Sequence, residues 1–267
     1  MIIGMHTHTH PNSWDSFLTA DEAVDLAKQV GLDAMILTEH DWAWDLEEYE
    51  ALQARHRDIR VFRGMELNTE DGHCVCLGLH EYVFGMHRAE ELAGHVARVD
   101  GVMIAAHPYR RQMPWRWEKE DDYAESLVRA ERNPMYRFVA AMEVVNGRGT
   151  LKENTFSDTL ARSMGMPGTA ADDCHEPKDL GKTATFFADD IKTERELIEA
   201  VRSGRFWPLD RTRGDKIANP LYHDVPSDIE QRWAELAEVR RERAAREAPE
   251  FRGRPEHHPH VRALASS

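Results

Sequence analysis

From residue 1 to about residue 204, short apolar runs alternate with capped amphipathic segments, and the runs end in polar residues. Runs of this length bounded by glycine and polar clusters read as buried strands. They fall at residues 1–3, 32–38, 59–65, 73–79, 101–106, 138–145, 166–171 and 183–188, the last being the final clear strand. Between them the sequence predicts helices. Thr19-Ala-Asp-Glu22 is a capping box, followed by the stripe Ala23, Leu26, Ala27, Val30 and by Gly31 as a stop. Further helices are expected over 45–57, 89–99, 154–163 and 193–203. Strand–helix–strand order implies a parallel α/β sheet, and 267 residues suffice for one α/β barrel.

Two stretches depart from this rhythm. Residues 109–137, rich in Arg, Trp and acidic residues, read as a helical excursion. Beyond residue 212 the composition changes. There Ser227-Asp-Ile-Glu230 is a second capping box, with Ile229, Trp233 and Leu236 at helical spacing behind it. The end, from Pro249, reads as a mobile polar tail that includes the histidines of 257–260. The expected division is therefore a domain over 1–212 and a helical, flexible extension over 213–267.

The ends of the predicted strands carry the chemistry. His6 and His8 directly follow the first run, two residues apart, so an extended backbone puts both on one face with His10. Later run ends supply His40, Glu66, His73, His107, Asp173 and His175, and Asp15 lies in the first loop. Strand ends are where α/β folds build their sites. A mixed imidazole and carboxylate set suits Zn²⁺, Mn²⁺ or Fe²⁺. Nine such residues exceed the needs of one ion and suit two or three sharing a bridging carboxylate. Water held between such ions loses a proton near neutral pH and becomes a nucleophile. Neither a Gly-rich phosphate loop nor a Gly-X-Ser-X-Gly elbow is present.

A formal net charge of −14 argues against general binding to a nucleic-acid polymer. No apolar run approaches a membrane span, and no signal peptide is visible. Cys74, Cys76 and Cys174 form no CxxC pair, which fits a reduced, cytoplasmic protein. Cys74 and Cys76 alternate with Val75 and Leu77 and read as packing residues, and Cys174 as a filler.

The order of motifs resembles the polymerase and histidinol phosphatase (PHP) family. His6-Thr-His8, Ser13-Trp-Asp15, Thr38-Glu39-His40, Gly64-Met-Glu66, His73, Ala106-His107-Pro108 and Asp172-Asp173-Cys174-His175 match its series over residues 1–210. The resemblance implies a distorted, TIM-barrel-like (β/α)7 barrel, here with a C-terminal helical tail. It also implies three divalent transition-metal ions (Mn, Zn or Fe) at the C-terminal face. The first would be held by His6, His8, Glu66 and Asp173, the second by Glu66, His73 and His107, and the third by Asp15, His40 and His175. Three departures stand out. The loop between His8 and Asp15 is longer than usual, leaving His10 as a rival to Asp15. Glu39 replaces an Asp before His40, a conservative change for a residue that supports the ligands from behind, and Asp172 replaces a Ser.

The implied activity is hydrolysis of a phosphomonoester of a small metabolite or nucleotide by a metal-bridging hydroxide, with Asp15 or His175 helping to protonate the leaving oxygen. Arg110, Arg111 and Arg116 are candidate phosphate-binding residues, Arg148 and Lys182 further, weaker ones, and Trp115 and Trp117 candidate stacking faces. Glu143 and Asn146 close a strand that faces the same site. The alternatives are a cyclic phosphodiester, a carbamate or an amide as the bond cleaved, or a metal-binding regulatory domain without turnover. The expected partner is a small phosphorylated substrate, with no nucleic acid polymer and no membrane; the oligomeric state is open.

Overall fold

The computed structural model describes residues 1–114, 116, 118–212 and 218–251. Trp115, Trp117 and the histidines of 257–260 lie outside the described residues. The strands are β1 (Ile2–Gly4), β2 (Ala34–His40), β3 (Arg60–Thr69), β4 (Gly72–Leu77), β5 (Val102–Ala105), β6 (Ala141–Asn146), β7 (Gly168–Ala171), β8 (Thr183–Phe187) and β9 (Phe206–Asp210). The helices are α1 (Ala20–Gln29), α2 (Leu46–Arg55), α3 (Ala89–Arg98), α4 (Glu120–Ala130), α5 (Leu151–Ser163), α6 (Glu194–Ser203) and α7 (Ile229–Phe251).

All nine strands form one sheet in the order β7-β6-β5-β4-β3-β2-β1-β8-β9. The sheet curls into a nearly closed barrel in which β7, at one end, lies against β8 and β9 at the other. Thr185 of β8 donates its hydroxyl to Ala170 O of β7 at 2.8 Å and accepts from Ala170 N at 3.0 Å. The pairings make β1, β2, β3, β5, β6, β7 and β9 run one way, with β4 and β8 against them. Each of those seven strands is followed by a helix, directly or, after β3 and β7, by way of an antiparallel strand. The result is a distorted seven-unit barrel, as the motif order implied.

The interior is apolar. Ile3, Ile36, Phe62, Leu77, Ile104 and Phe187, from six different strands, pack together with Leu197, Ile198 and Val201 of α6, which closes one end. On β3, Gly64 belongs to this face, where an added Cβ would stand 3.0 Å from Ile36 Cγ2 and 3.2 Å from Leu77 Cδ2. Two further clusters fill the space between sheet and helices, and Cys74, Cys76 and Cys174 are buried in them as packing residues.

Four sequence expectations change. The 183–188 run is not the last strand. Pro208 inside β9 broke the strand signal, yet β9 is last in the sheet order, where a residue without N–H is tolerated. Helix α5 begins at Leu151 because Thr150 and Glu153 form a capping box. Strands β4 and β8 are antiparallel, not parallel. Helix α7 begins at Ile229, with Asp228 bonded to Arg232 at 2.9 Å rather than Ser227 capping it. It packs on the barrel: Trp233 donates to Phe206 O at 2.8 Å, and Arg240 to Ala140 O at 2.9 Å. No helix among the described residues is long and apolar enough to cross a membrane.

Candidate metal centre

Alternation on the inward strand faces places the site. On β2 the inward series is Ala34, Ile36, Thr38 and His40; on β3 it is Phe62, Gly64 and Glu66; on β4, Leu77, Val75 and His73. Each series starts apolar and ends in a side chain able to bind metal. His40 pairs with Glu66 in the sheet register. His107 lies just past β5, and Asp173 just past β7, where its φ of 51° turns the chain.

Glu66 stands at the middle. Its Oε2 lies 3.3 Å from His6 Nε2, 3.3 Å from His8 Nε2 and 3.0 Å from His40 Nδ1. Its Oε1 lies 2.9 Å from both His73 Nδ1 and His107 Nε2. Asp173 Oδ1 is 3.5 Å from His8 Nε2 and 3.8 Å from His6 Nε2. On the outer side, Asp15 Oδ2 lies 3.3 Å from His40 Nε2 and 3.2 Å from His175 Nε2. All nine residues singled out from the sequence thus converge. His10, the rival to Asp15, is exposed, its backbone bonded to Leu18 O.

Outer partners orient the rings. Glu143 Oε2 lies 3.0 Å from His6 Nδ1, and a carboxylate only accepts, so that nitrogen carries the proton and Nε2 faces the centre. Asn146 donates to Glu143 Oε1 at 2.5 Å. His175 Nδ1 sits 2.8 Å from Asp173 O, which also only accepts. Asp172 stays out of the centre, accepting from Gly181 N at 2.6 Å and Thr183 N at 2.7 Å. Burial pushes its carboxyl up to about 7.

Mutual attraction of imidazoles and carboxylates outweighs burial at the middle of the centre. Burial alone would lower the His6 pKa, yet Glu66, Asp173 and Glu143 outweigh it and hold that pKa well above the usual histidine value. Burial raises the Glu66 and Asp173 carboxyls, but the surrounding imidazoles hold both well below the usual range. Burial, then His8, lowers the His175 pKa. Four of the converging atoms, His6 Nε2, His8 Nε2, Glu66 Oε2 and Asp173 Oδ1, are buried without a hydrogen-bond partner. Ligand atoms of His6, His8 and Asp173, of His6, Glu66 and His107, and of His8, His40 and His175 lie within 4.8 Å of one another in each set. Orphaned nitrogens and carboxylate oxygens at this spacing fit divalent transition metals.

The arginines separate. Arg110 reaches the centre, with Nη2 2.5 Å from Asp173 Oδ2 and Nη1 3.1 Å from His107 Nε2. Arg111 does not: it donates to Thr69 O and Asn68 Oδ1, both at 3.0 Å, on the β3–β4 hairpin. The Arg148 side chain is exposed. Sequence reasoning gave Glu39 a supporting role beside His40 but not its partners, Thr9, Ser13 and Trp44. Its neighbours come from two separate stretches, and only its place beside His40 hinted at a role.

The PHP domain profile matches residues 4–144 and a PHP-associated profile matches 152–206. No curated protein matches. Among solved structures, PsfC from Pseudomonas syringae is 16% identical with a TM-score of 0.54, covering 90% of this chain and 98% of that one. A two-domain protein from Bacteroides vulgatus, described as containing a predicted PHP-like metal-dependent phosphoesterase, is 18% identical with a TM-score of 0.55, over 79% of this chain and 64% of that one. An amidohydrolase from Chromobacterium violaceum, solved with bound sulfate and no metal, is 17% identical with a TM-score of 0.51, over 79% and 98%. At these identities the likeness is one of fold.

Proposed function

The chain belongs to the PHP domain family, whose profile covers more than half of it, and from that premise we propose a metal-dependent phosphoesterase that hydrolyses a phosphomonoester of a small metabolite or nucleotide. The observation that carries this reading is the split of Glu66, with Oε2 toward His6, His8 and His40 and Oε1 toward His73 and His107. A carboxylate placed this way fits a bridge between two ions. His6, His8, Glu66 and Asp173 would hold one ion, Glu66, His73 and His107 a second, and Asp15, His40 and His175 a third. Divalent ions (Mn, Zn or Fe) bound there supply charge neutralisation for a phosphoryl group and a water acidified to near neutral pH.

The chain's own residues do the rest. Arg110 presents a guanidinium beside Asp173 and His107, where it binds a phosphoryl oxygen. Arg111 acts on substrate only by leaving its bonds to the β3–β4 hairpin and the Arg148 side chain is exposed, so Arg110 is the principal phosphate-binding residue. His175, neutral because burial lowers its pKa, is the better metal ligand. Asp15, at the solvent side with its side chain 30% exposed, is the better placed to pass a proton to the leaving oxygen. Elemental analysis paired with a panel of phosphate monoesters, cyclic phosphodiesters and carbamates tests the proposal. Close to three ions per chain and turnover of phosphomonoesters are expected. Fewer than one ion, or turnover confined to carbamates or amides, overturns it.

A further inference from the structure

Glu39 is fully buried, one residue before His40, and points away from the centre. Its Oε2 accepts from Thr9 N at 2.8 Å and Ser13 Oγ at 2.6 Å. Its Oε1 accepts from Trp44 Nε1 at 3.0 Å and from the Thr9 hydroxyl. Four neutral donors thus converge on one buried carboxylate. Buried carboxylates are costly unless hydrogen-bonded in this way, so the arrangement is built rather than incidental.

The Ser13 hydroxyl links this carboxylate to the centre. It has one proton, and Glu39 can only accept, so the proton lies on the Ser13–Glu39 bond. The Ser13 oxygen must then accept from its other neighbours, His40 N at 3.3 Å and His8 Nδ1 at 3.2 Å. His8 Nδ1 therefore carries a ring proton, and Nε2 is turned toward Glu66 and Asp173. The same loop is pinned along its length. Ser13 N donates to Thr9 O at 2.7 Å, Ser16 Oγ to His8 O at 2.8 Å and Phe17 N to His175 O at 2.8 Å. Asp15 is carried between these anchors.

We propose that Glu39 is a positioning residue of the centre: through Ser13 it holds the His8 Nδ1 proton and turns Nε2 toward the metal-ligand cluster, and through the 9–16 loop it places Asp15 against His40 and His175. The inference rests on the metalloenzyme reading above and adds the residue that organises two of its ligand groups without touching an ion. The extra methylene of Glu over Asp, about 1.5 Å of reach, carries the carboxylate out to Thr9 and Ser13 of this loop. An aspartate at this position falls short of Thr9, Ser13 and Trp44.

The test is zinc titration of the metal-free full chain, with long-range ¹H–¹⁵N NMR of the His8 ring and a thermal melt of each variant. Ser13→Ala is expected to weaken zinc binding about tenfold and to release His8 into a mixture of ring tautomers. Glu39→Gln and Glu39→Asp are each expected to weaken it by roughly 10–100-fold, with Asp giving no rescue. Wild-type zinc affinity and an unchanged His8 ring in Ser13→Ala overturn the proposal. Full rescue by Glu39→Asp overturns the claim about reach. If the Glu39 variants fail to fold, Ser13→Ala alone decides. A wild-type chain that takes up no zinc overturns the metalloenzyme reading instead, while the NMR comparison still decides whether Ser13 and Glu39 set the His8 ring.

Discussion

On β2 the inward-facing series passes from Ala34 and Ile36 to His40, and on β3 from Phe62 to Glu66. One end of the barrel interior is an apolar plug sealed by α6, and the other is a buried cluster of imidazoles and carboxylates. Backbone and alternation are the same at both ends; only side-chain chemistry differs. The apolar end contributes burial free energy, about 1.5–3 kcal/mol for each large side chain. The polar end gives some of this up, since unpartnered buried polar groups cost about 1–3 kcal/mol each. The apolar half is what holds the nine converging imidazoles and carboxylates in register against that cost.

The comparison breaks most sharply at Glu66. Glu66→Gln keeps the shape but removes the charge opposite the imidazoles. It is expected to lose bound metal and lower turnover by on the order of 10³-fold, about 4 kcal/mol, with the melting temperature of the metal-free protein within a few degrees of wild type. Metal analysis and kinetics on one sample check this. At the opposite end Phe187→Ala should do the reverse. A fully buried Phe truncated in a packed core costs about 3–5 kcal/mol in denaturant unfolding, while metal content of the folded fraction stays unchanged. Equal effects of both substitutions on both readouts would dissolve the distinction between the two ends.

Arg110 lies at the rim of the polar end. Arg110→Ala removes one charged hydrogen bond, so kcat/KM for a phosphomonoester should fall by roughly 10–100-fold, or 1.5–3 kcal/mol, with metal content retained. Loss of metal instead would make Arg110 part of the ion site's support. The smallest effect is a pH slope. The His6 pKa is raised, so its protonated form stabilises the metal-free protein fully below the unfolded value of about 6.5, and that contribution disappears as pH rises through the raised value. An ion must displace this proton. Metal affinity should therefore rise up to about tenfold per pH unit until pH passes the His6 value, a slope that titration calorimetry at several pH values reads directly.

Much of this was legible in the sequence because it depends on local rules. Capping boxes at Thr19 and Thr193 and left-handed glycines at Gly31 and Gly204 set helix ends where expected. Polar residues ending each apolar run marked the centre, and Asp173 rather than Asp172 reached it. What escaped depends on pairing. Strand β9 hid behind Pro208, and only the sheet order reveals why proline is tolerated there. The two residues between β3 and β4 are too few for a crossover helix, which would have given the direction of β4. Nothing in the spacing of Arg110, Arg111 and Arg148 says which one turns inward. The converging donors on Glu39, drawn from Thr9, Ser13 and Trp44, appear only once loop and strand are folded together.

Anomalous diffraction from zinc-loaded crystals, at the metal edge, tests the central claim most directly. The account predicts separate peaks on either side of the Glu66 carboxylate, each oxygen roughly 2.0–2.2 Å from its own ion, one on the His6 and His8 side and one on the His73 and His107 side. A single peak bound by both Glu66 oxygens, or none within reach of that carboxylate, would contradict it.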